Sequence, residues 1–153
     1  MTRVSFVVYA TPGPQGSKRH IGNGVMVESS KKVKPFRAAV VEAARDAIGE
    51  ARAIASPVLL TAEFVFPRPA GHYGTGRNSA VLKASAPPYP TSRNLGDLSK
   101  LVRALEDALT DAGVWIDDSQ VVAFPGTCKE WCHRGEPAHT NVTVQEITPE
   151  EDR

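Results

Sequence analysis

One periodic segment with a defined end constrains this chain more than any other feature. Leu98, Leu101, Val102, Leu105, Ala108, Leu109 and Ala112 keep the i, i+3, i+4, i+7 spacing that lines one face of an α-helix. The pattern predicts a helix over about 95–112. Gly113 stops it, in the place where a left-handed residue closes a helix. The apolar Val114-Trp115-Ile116 follows at once and predicts a short strand, ending in Asp117-Asp118. A helix with one apolar face must bury it against another layer, so the remaining sequence has to supply that layer.

It offers strands and a second helix. Arg3 to Tyr9 is rich in Val and Phe and reads as a buried strand, broken by Thr11-Pro-Gly-Pro-Gln-Gly16. Ile21 to Val27 reads as a short strand pair around the turn signal Gly22-Asn23-Gly24. Pro35 suits the first turn of a helix. Phe36, Val40, Ala44 and Ile48 recur every four residues, a stripe carried to about Ile54. Pro57 to Phe66, Val121 to Trp131 and Thr140 to Ile147 read as further strands, the last two joined by a turn at Arg134-Gly-Glu-Pro137.

The expected fold is therefore α+β. It is a compact domain over 1–148, a mixed sheet packed with two main helices in strand–strand–helix–strand–helix–strand–strand order, with 149–153 as a frayed tail. A length of 153 residues suits one core. No apolar stretch approaches the roughly 18 residues of a membrane span, and the N-terminal run alternates like a strand rather than a signal peptide. No membrane association is expected. Two cysteines without an export signal point to a reducing, cytoplasmic setting and free thiols.

Net charge is only +1, but its distribution is uneven. Residues 1–37 hold seven Lys/Arg and one acid, residues 64–93 hold four bases and no acid, and residues 94–118 hold two bases and six acids. Basic stretches suit a polyanion and the acidic one suits a cation; chance clustering on solvated surfaces is the plain alternative. Residues 67–90 carry five prolines and three glycines. A loop this long reads as a basic binding loop or as a disordered insertion.

Asp97 opens the second helix and Asp117-Asp118 follow the strand after it. The helix climbs about 22 Å, at roughly 1.5 Å per residue. Five strand residues running back would return about 16 Å, at roughly 3.3 Å each. That leaves the carboxylates about 6 Å apart, close enough to share Mg²⁺ or Mn²⁺. The plainer readings are a helix-dipole contact for Asp97 and a turn for Asp117-Asp118. Lys100 and Arg103 on the same helix either hold a phosphate or pair with Glu106 and Asp107.

The run from Gly96 to Val122, GDLSKLVRALEDALTDAGVWIDDSQVV, resembles the signature of RusA-type Holliday junction resolvases. Their motif has the form D-x-D-N-L-x-K, then D-A-L-T-x-A-G-x-W-x-D-D-x-Q-V-V. The resemblance implies a RusA-like fold and a homodimeric, Mg²⁺-dependent endonuclease, with Mn²⁺ as a substitute and no small-molecule cofactor. Such an enzyme binds four-way junction DNA and nicks two strands symmetrically. Carried over by position, the motif implies Asp97, Asp117 and Asp118 as catalytic and metal-binding residues. Its basic residue falls on Arg103, where the family usually has lysine. Ser99 and Lys100 depart from the motif, standing where its second aspartate and asparagine fall. Three outcomes follow: the remaining aspartates suffice, Glu106 or Asp107 contributes, or the chain binds junctions with weakened cleavage.

Lys18, Arg19, Lys31, Lys32, Lys34, Arg37, Arg93 and Lys100 are candidates for DNA contacts, with Arg68 and Arg77 behind them. Cys128, Cys132, His133 and His139 lie within twelve residues, yet their C-x3-C-H-x5-H spacing spreads them along a hairpin and argues against zinc. A zinc-stapled DNA-binding module is thus the third reading, after the nuclease and the weakened junction binder. Trp131 is a candidate for base stacking or for packing on the sheet.

Overall fold

The computed structural model describes residues 2–16, 18–20, 22, 26–28 and 31–149. In chain order the elements are β1 (Arg3–Val8), β2 (Lys18–His20), β3 (Met26–Glu28), α1 (Val33–Ile48), β4 (Val58–Phe66), α2 (Leu98–Ala112), β5 (Val121–Ala123), β6 (Cys128–Trp131) and β7 (His139–Glu146). The class is α+β with a mixed sheet and two main helices, as the periodicities imply. Among the described residues, no helix is long and apolar enough to cross a membrane.

Alternation along β4 organises the core. Val58, Leu60, Ala62, Phe64 and Phe66 are buried on one face, while Leu59, Thr61 and Glu63 are half-buried on the other. β4 pairs antiparallel with β7, which pairs antiparallel with β1. Its other edge takes two parallel partners in succession, β5 at Val58–Leu59 and β6 at Glu63–Phe66. The helices bring Phe36, Val40 and Ala44 from α1 and Leu101, Leu105 and Leu109 from α2 against the even-numbered residues of β4. Each fully buried side chain of this size contributes about 1.5–3 kcal/mol. Gly113 caps α2 in the left-handed region, φ +78.

Several boundaries differ from the sequence reading. α1 stops at Gly49 (φ +55), not near Ile54. The chain leaves the helix there so that Ile54 can bridge Trp115 in parallel. Val114-Trp115-Ile116 therefore contributes one bridge rather than a strand. Val121 to Trp131 is two strands, not one, because the chain turns at Gly126 (φ +64). Thr127 fills the gap between them: its hydroxyl accepts from Ala62 N at 3.2 Å and donates to Leu60 O at 3.3 Å. A 3-10 turn at Arg93–Leu95 precedes α2, which starts at Leu98 rather than Leu95.

The expected N-terminal strand pair forms as β2 and β3, displaced outward; Ile21, Asn23, Gly24 and Val25 lie outside the described residues, as do 150–153 of the expected tail. Residues 67–90 are built from 3-10 turns at Ala70–His72 and Gly76–Asn78 and a Tyr73–Leu82 bridge.

The Pro12–Gln15 segment docks against the start of α2. Gln15 N–H donates to Lys100 O at 3.0 Å. Gly96 (φ +92) faces the Pro14 ring so closely that an added Cβ would collide with it. Gly96→Ala should therefore cost about 2 kcal/mol or more, read as a fall of several degrees in the thermal midpoint.

Candidate functional site on α2

Ser99, Arg103 and Glu106 stand at i, i+4 and i+7, so α2 presents them on one face. With Leu98 and Val102 they form one wall of a groove of about 540 Å³, and Phe124 and Thr127 form the other. A smaller recess of about 180 Å³ lies at the C-terminal half of the same helix, lined by Arg37, Asp107, Thr110, Asp111, Asp117 and Asp118. Arg37 Nη2 pairs with Asp111 Oδ2 at 2.9 Å.

Local hydrogen bonding sets the acidic doublet apart. Asp117 precedes a 3-10 turn over Asp118–Gln120 and accepts from Ser119 N–H at 2.8 Å. That bond, with others from Ser119 and Asp118 side chains, holds its carboxyl below the usual range. Asp118 shifts the other way, through a hydrogen bond with Asp117, partial desolvation, and the charges of Asp117 and Asp107. Glu106 is pushed up to about 7, first by burial and then by the charges of Asp118 and Asp107, against the pull of Arg103. A carboxyl of this kind exchanges its proton near neutral pH. Groove and recess are therefore one electrostatic unit along α2.

Asp97 lies elsewhere. It occupies the residue before α2, exposed, 3.7 Å from Lys100 Nζ. Ten residues of helix, about 15 Å, separate it from Asp107. The expected return strand, which would have carried Asp118 back to within about 6 Å of Asp97, does not form. Trp115 is held by Ile54 and the capped turn stops the chain beside the last turns of α2. Asp118 thus shares its recess with Asp107 and Asp111, not with Asp97.

The cations split between two surroundings. Lys32 Nζ donates to Asn94 O at 2.8 Å and Lys129 Nζ to Gly96 O at 3.0 Å, so both gather with Lys100 and Arg93 near the start of α2. Lys31 and Lys34 are exposed beside them in sequence, and Arg37 turns to the acidic recess. Arg77 is exposed and Arg68 is packed in the 67–90 segment. Lys18 and Arg19 lie in β2, but their side chains fall outside the described residues.

The donors of the recess are carboxylate oxygens, the hard ligands that suit Mg²⁺ or Mn²⁺. Among the described residues, the one set of three donors mutually within 4.8 Å is Glu63, Cys128 and Glu130. The recess carboxylates do not converge in that way, so a divalent cation there would take one or two of them and complete its shell with water and substrate phosphates. The four Cys and His residues do not converge. Cys132 Sγ donates to Pro137 O at 3.4 Å, His139 Nδ1 also meets Pro137 O, and His133 is exposed. Both cysteines are free.

Sequence reading passed over Asp111 and held a contribution from Glu106 or Asp107, about two to three turns up the helix, as one of three outcomes. Their places at i, i+1 and i+5 along α2 were visible; the approach of Asp118 was not. A family model described as endodeoxyribonuclease RusA matches residues 9–145. No curated protein matches the chain.

The folded chain holds the Glu106 proton up to about pH 7, against 4.5 for an ordinary carboxyl. Between those values the folded state binds more protons, so stability falls as pH rises through this window. After allowing for solvent screening the loss is about 1–2 kcal/mol. Glu106→Gln should abolish this component, seen by comparing thermal midpoints at about pH 5 and pH 8 in chelating buffer.

Proposed function

We propose a function from one premise: this chain belongs to the RusA endodeoxyribonuclease family. Membership implies Holliday junction resolvase activity. We infer further that the protein is a Mg²⁺-dependent, structure-selective endonuclease that works as a cytoplasmic homodimer and cuts four-way junctions by paired symmetric nicks. The observation that carries this reading is the cluster of Glu106, Asp107, Asp111, Asp117 and Asp118 beside Arg103 on one side of α2.

Asp118 and Asp107 are the proposed ligands, with Asp117 capping the turn that aims Asp118. A divalent cation bound there would neutralise charge building on the phosphate oxygens of the scissile strand. Arg103 holds that phosphate as a fork and stabilises the developing charge; unlike lysine it cannot give up its proton. Ser99 lines the same groove and offers a neutral hydroxyl where the family motif has a carboxylate. Asp97, one residue before α2 and apart from the recess, is proposed as required for activity with Lys100 beside it.

DNA contacts are assigned to Lys18, Arg19, Lys31, Lys32, Lys34, Arg37, Arg93 and Lys100. Such contacts position a backbone by shape and charge rather than reading sequence. Twofold symmetry would present two such sites to opposite strands. Ser99 supports a second reading, a junction-binding protein with weakened cleavage, because the groove has lost one charge there.

Asp118→Asn should abolish nicking of a four-way junction in Mg²⁺ while junction binding survives; wild-type cleavage by this variant would overturn the site assignment. Ser99→Asp should leave cleavage equal or higher, and its complete loss would show that the hydroxyl has a role of its own. Junction binding by the wild-type chain with no cleavage in Mg²⁺ or Mn²⁺ would favour the second reading.

A further inference from the structure

The most elaborate part of the surface lies away from the acidic recess. The 67–90 segment folds over the end of β6 and is fastened to one indole. Trp131 Nε1 donates to Pro87 O at 3.0 Å, and Arg68 Nη1 donates to the same oxygen at 3.0 Å. The Arg68 guanidinium lies 5.2 Å from the Trp131 ring centre. His72 meets that ring edge-on at 5.2 Å.

This fastening leaves a cavity of about 400 Å³ between the segment and the sheet. Tyr73, Tyr89 and Trp131 supply aromatic walls and Arg68 and Arg134 supply cations, while the Glu130 carboxylate is engaged by Cys128 Sγ at 3.2 Å. The volume falls in the range of about 300–1,000 Å³ typical of small-ligand sites. Tyr89 is 62% exposed, a large ring left uncovered at the mouth. The surrounding stretch from Phe64 to Arg93 contains no acid.

A site for phosphate alone has no use for three aromatic rings in its wall. A nucleotide uses both chemistries, an aromatic face for the base and a cation for the phosphate. We propose that this cavity holds one unstacked nucleotide of a branched DNA, with its base against Tyr89 and Trp131 and its phosphate at Arg134. Arg68, occupied by Trp131 and Pro87, is a positioning residue that holds the indole in place. The proposal rests on the nuclease reading for its DNA and adds a single-strand contact to it.

The test uses the full chain and a five-nucleotide single-stranded oligodeoxynucleotide of mixed sequence. Trp115 is 1% exposed and its indole N–H is bonded to Thr110 Oγ1, so fluorescence quenching by the oligonucleotide reports Trp131. Saturable quenching is expected, and Trp131→Phe should remove it. Tyr89→Ala should weaken oligonucleotide affinity about tenfold with an unchanged thermal midpoint, and Tyr89→Phe should restore it. Absence of quenching, or equal affinity in Tyr89→Ala, would overturn the proposal. Junction cleavage measured in parallel separates the two readings. Cleavage without oligonucleotide binding removes the cavity's role alone; Tyr89-dependent binding without cleavage removes the nuclease and leaves the cavity standing.

Discussion

Gln120 uses every hydrogen-bonding position of its carboxamide, two donors and two acceptor sites. Oε1 accepts from Ile116 N–H and Asp117 N–H, both at 2.9 Å. Nε2 donates to Ile54 O at 2.8 Å and Ser56 O at 2.9 Å. One side chain thereby joins the acidic turn to the connection between α1 and β4, just above the Ile54–Trp115 bridge. The position of Asp118 beside α2 follows from this clamp. Without it the turn would be an exposed loop with no reason to face Glu106 and Asp107. Each bond contributes about 0.5–1.5 kcal/mol net, but their joint effect is to choose where the carboxylates stand.

Apart from Asp97 at its N-terminal boundary, the charges on α2 oppose the helix dipole. Its first turn holds no acid and its last turn no base, while Glu106, Asp107 and Asp111 crowd toward the negative end and Lys100 lies near the positive one. A helix selected only for stability would carry the reverse, worth typically 0.3–1 kcal/mol per favourable charge. Asp118 adds to the repulsion that raises Glu106. Such concentrated like charge suits the proposed site, where a cation and a phosphate would share the surface. The apolar face of the same helix carries the opposing stabilisation, with Leu101, Leu105 and Leu109 fully buried.

Strands were legible where apolar residues form an unbroken run and less so where they do not. β4 and β7 match their runs closely because each is buried along its length on one face. Val121 to Trp131 misled because its apolar ends hide a turn at Gly126, and Thr127 supplies with a hydroxyl the pairing that backbone would otherwise provide. The end of α1 was overrun because the apolar Ile54 was read as its last turn, although it serves the Trp115 bridge instead. A periodicity records which residues are buried, not which neighbour buries them.

The sequence by itself determined α2, its glycine stop, the acidic doublet behind Trp115 and the resemblance that names the family, because these are contiguous and depend on local spacing. Only the tertiary structure decided which partners Asp118 has. That depends on Gln120 and Ile54, more than sixty residues apart in the chain, and on a turn whose direction no local pattern encodes. The same holds for the cavity at Trp131, where Arg68, Pro87 and Trp131 meet across a long segment. Spacing along a chain specifies faces; the distances between faces arise only when the core closes and long-range hydrogen bonds select one arrangement.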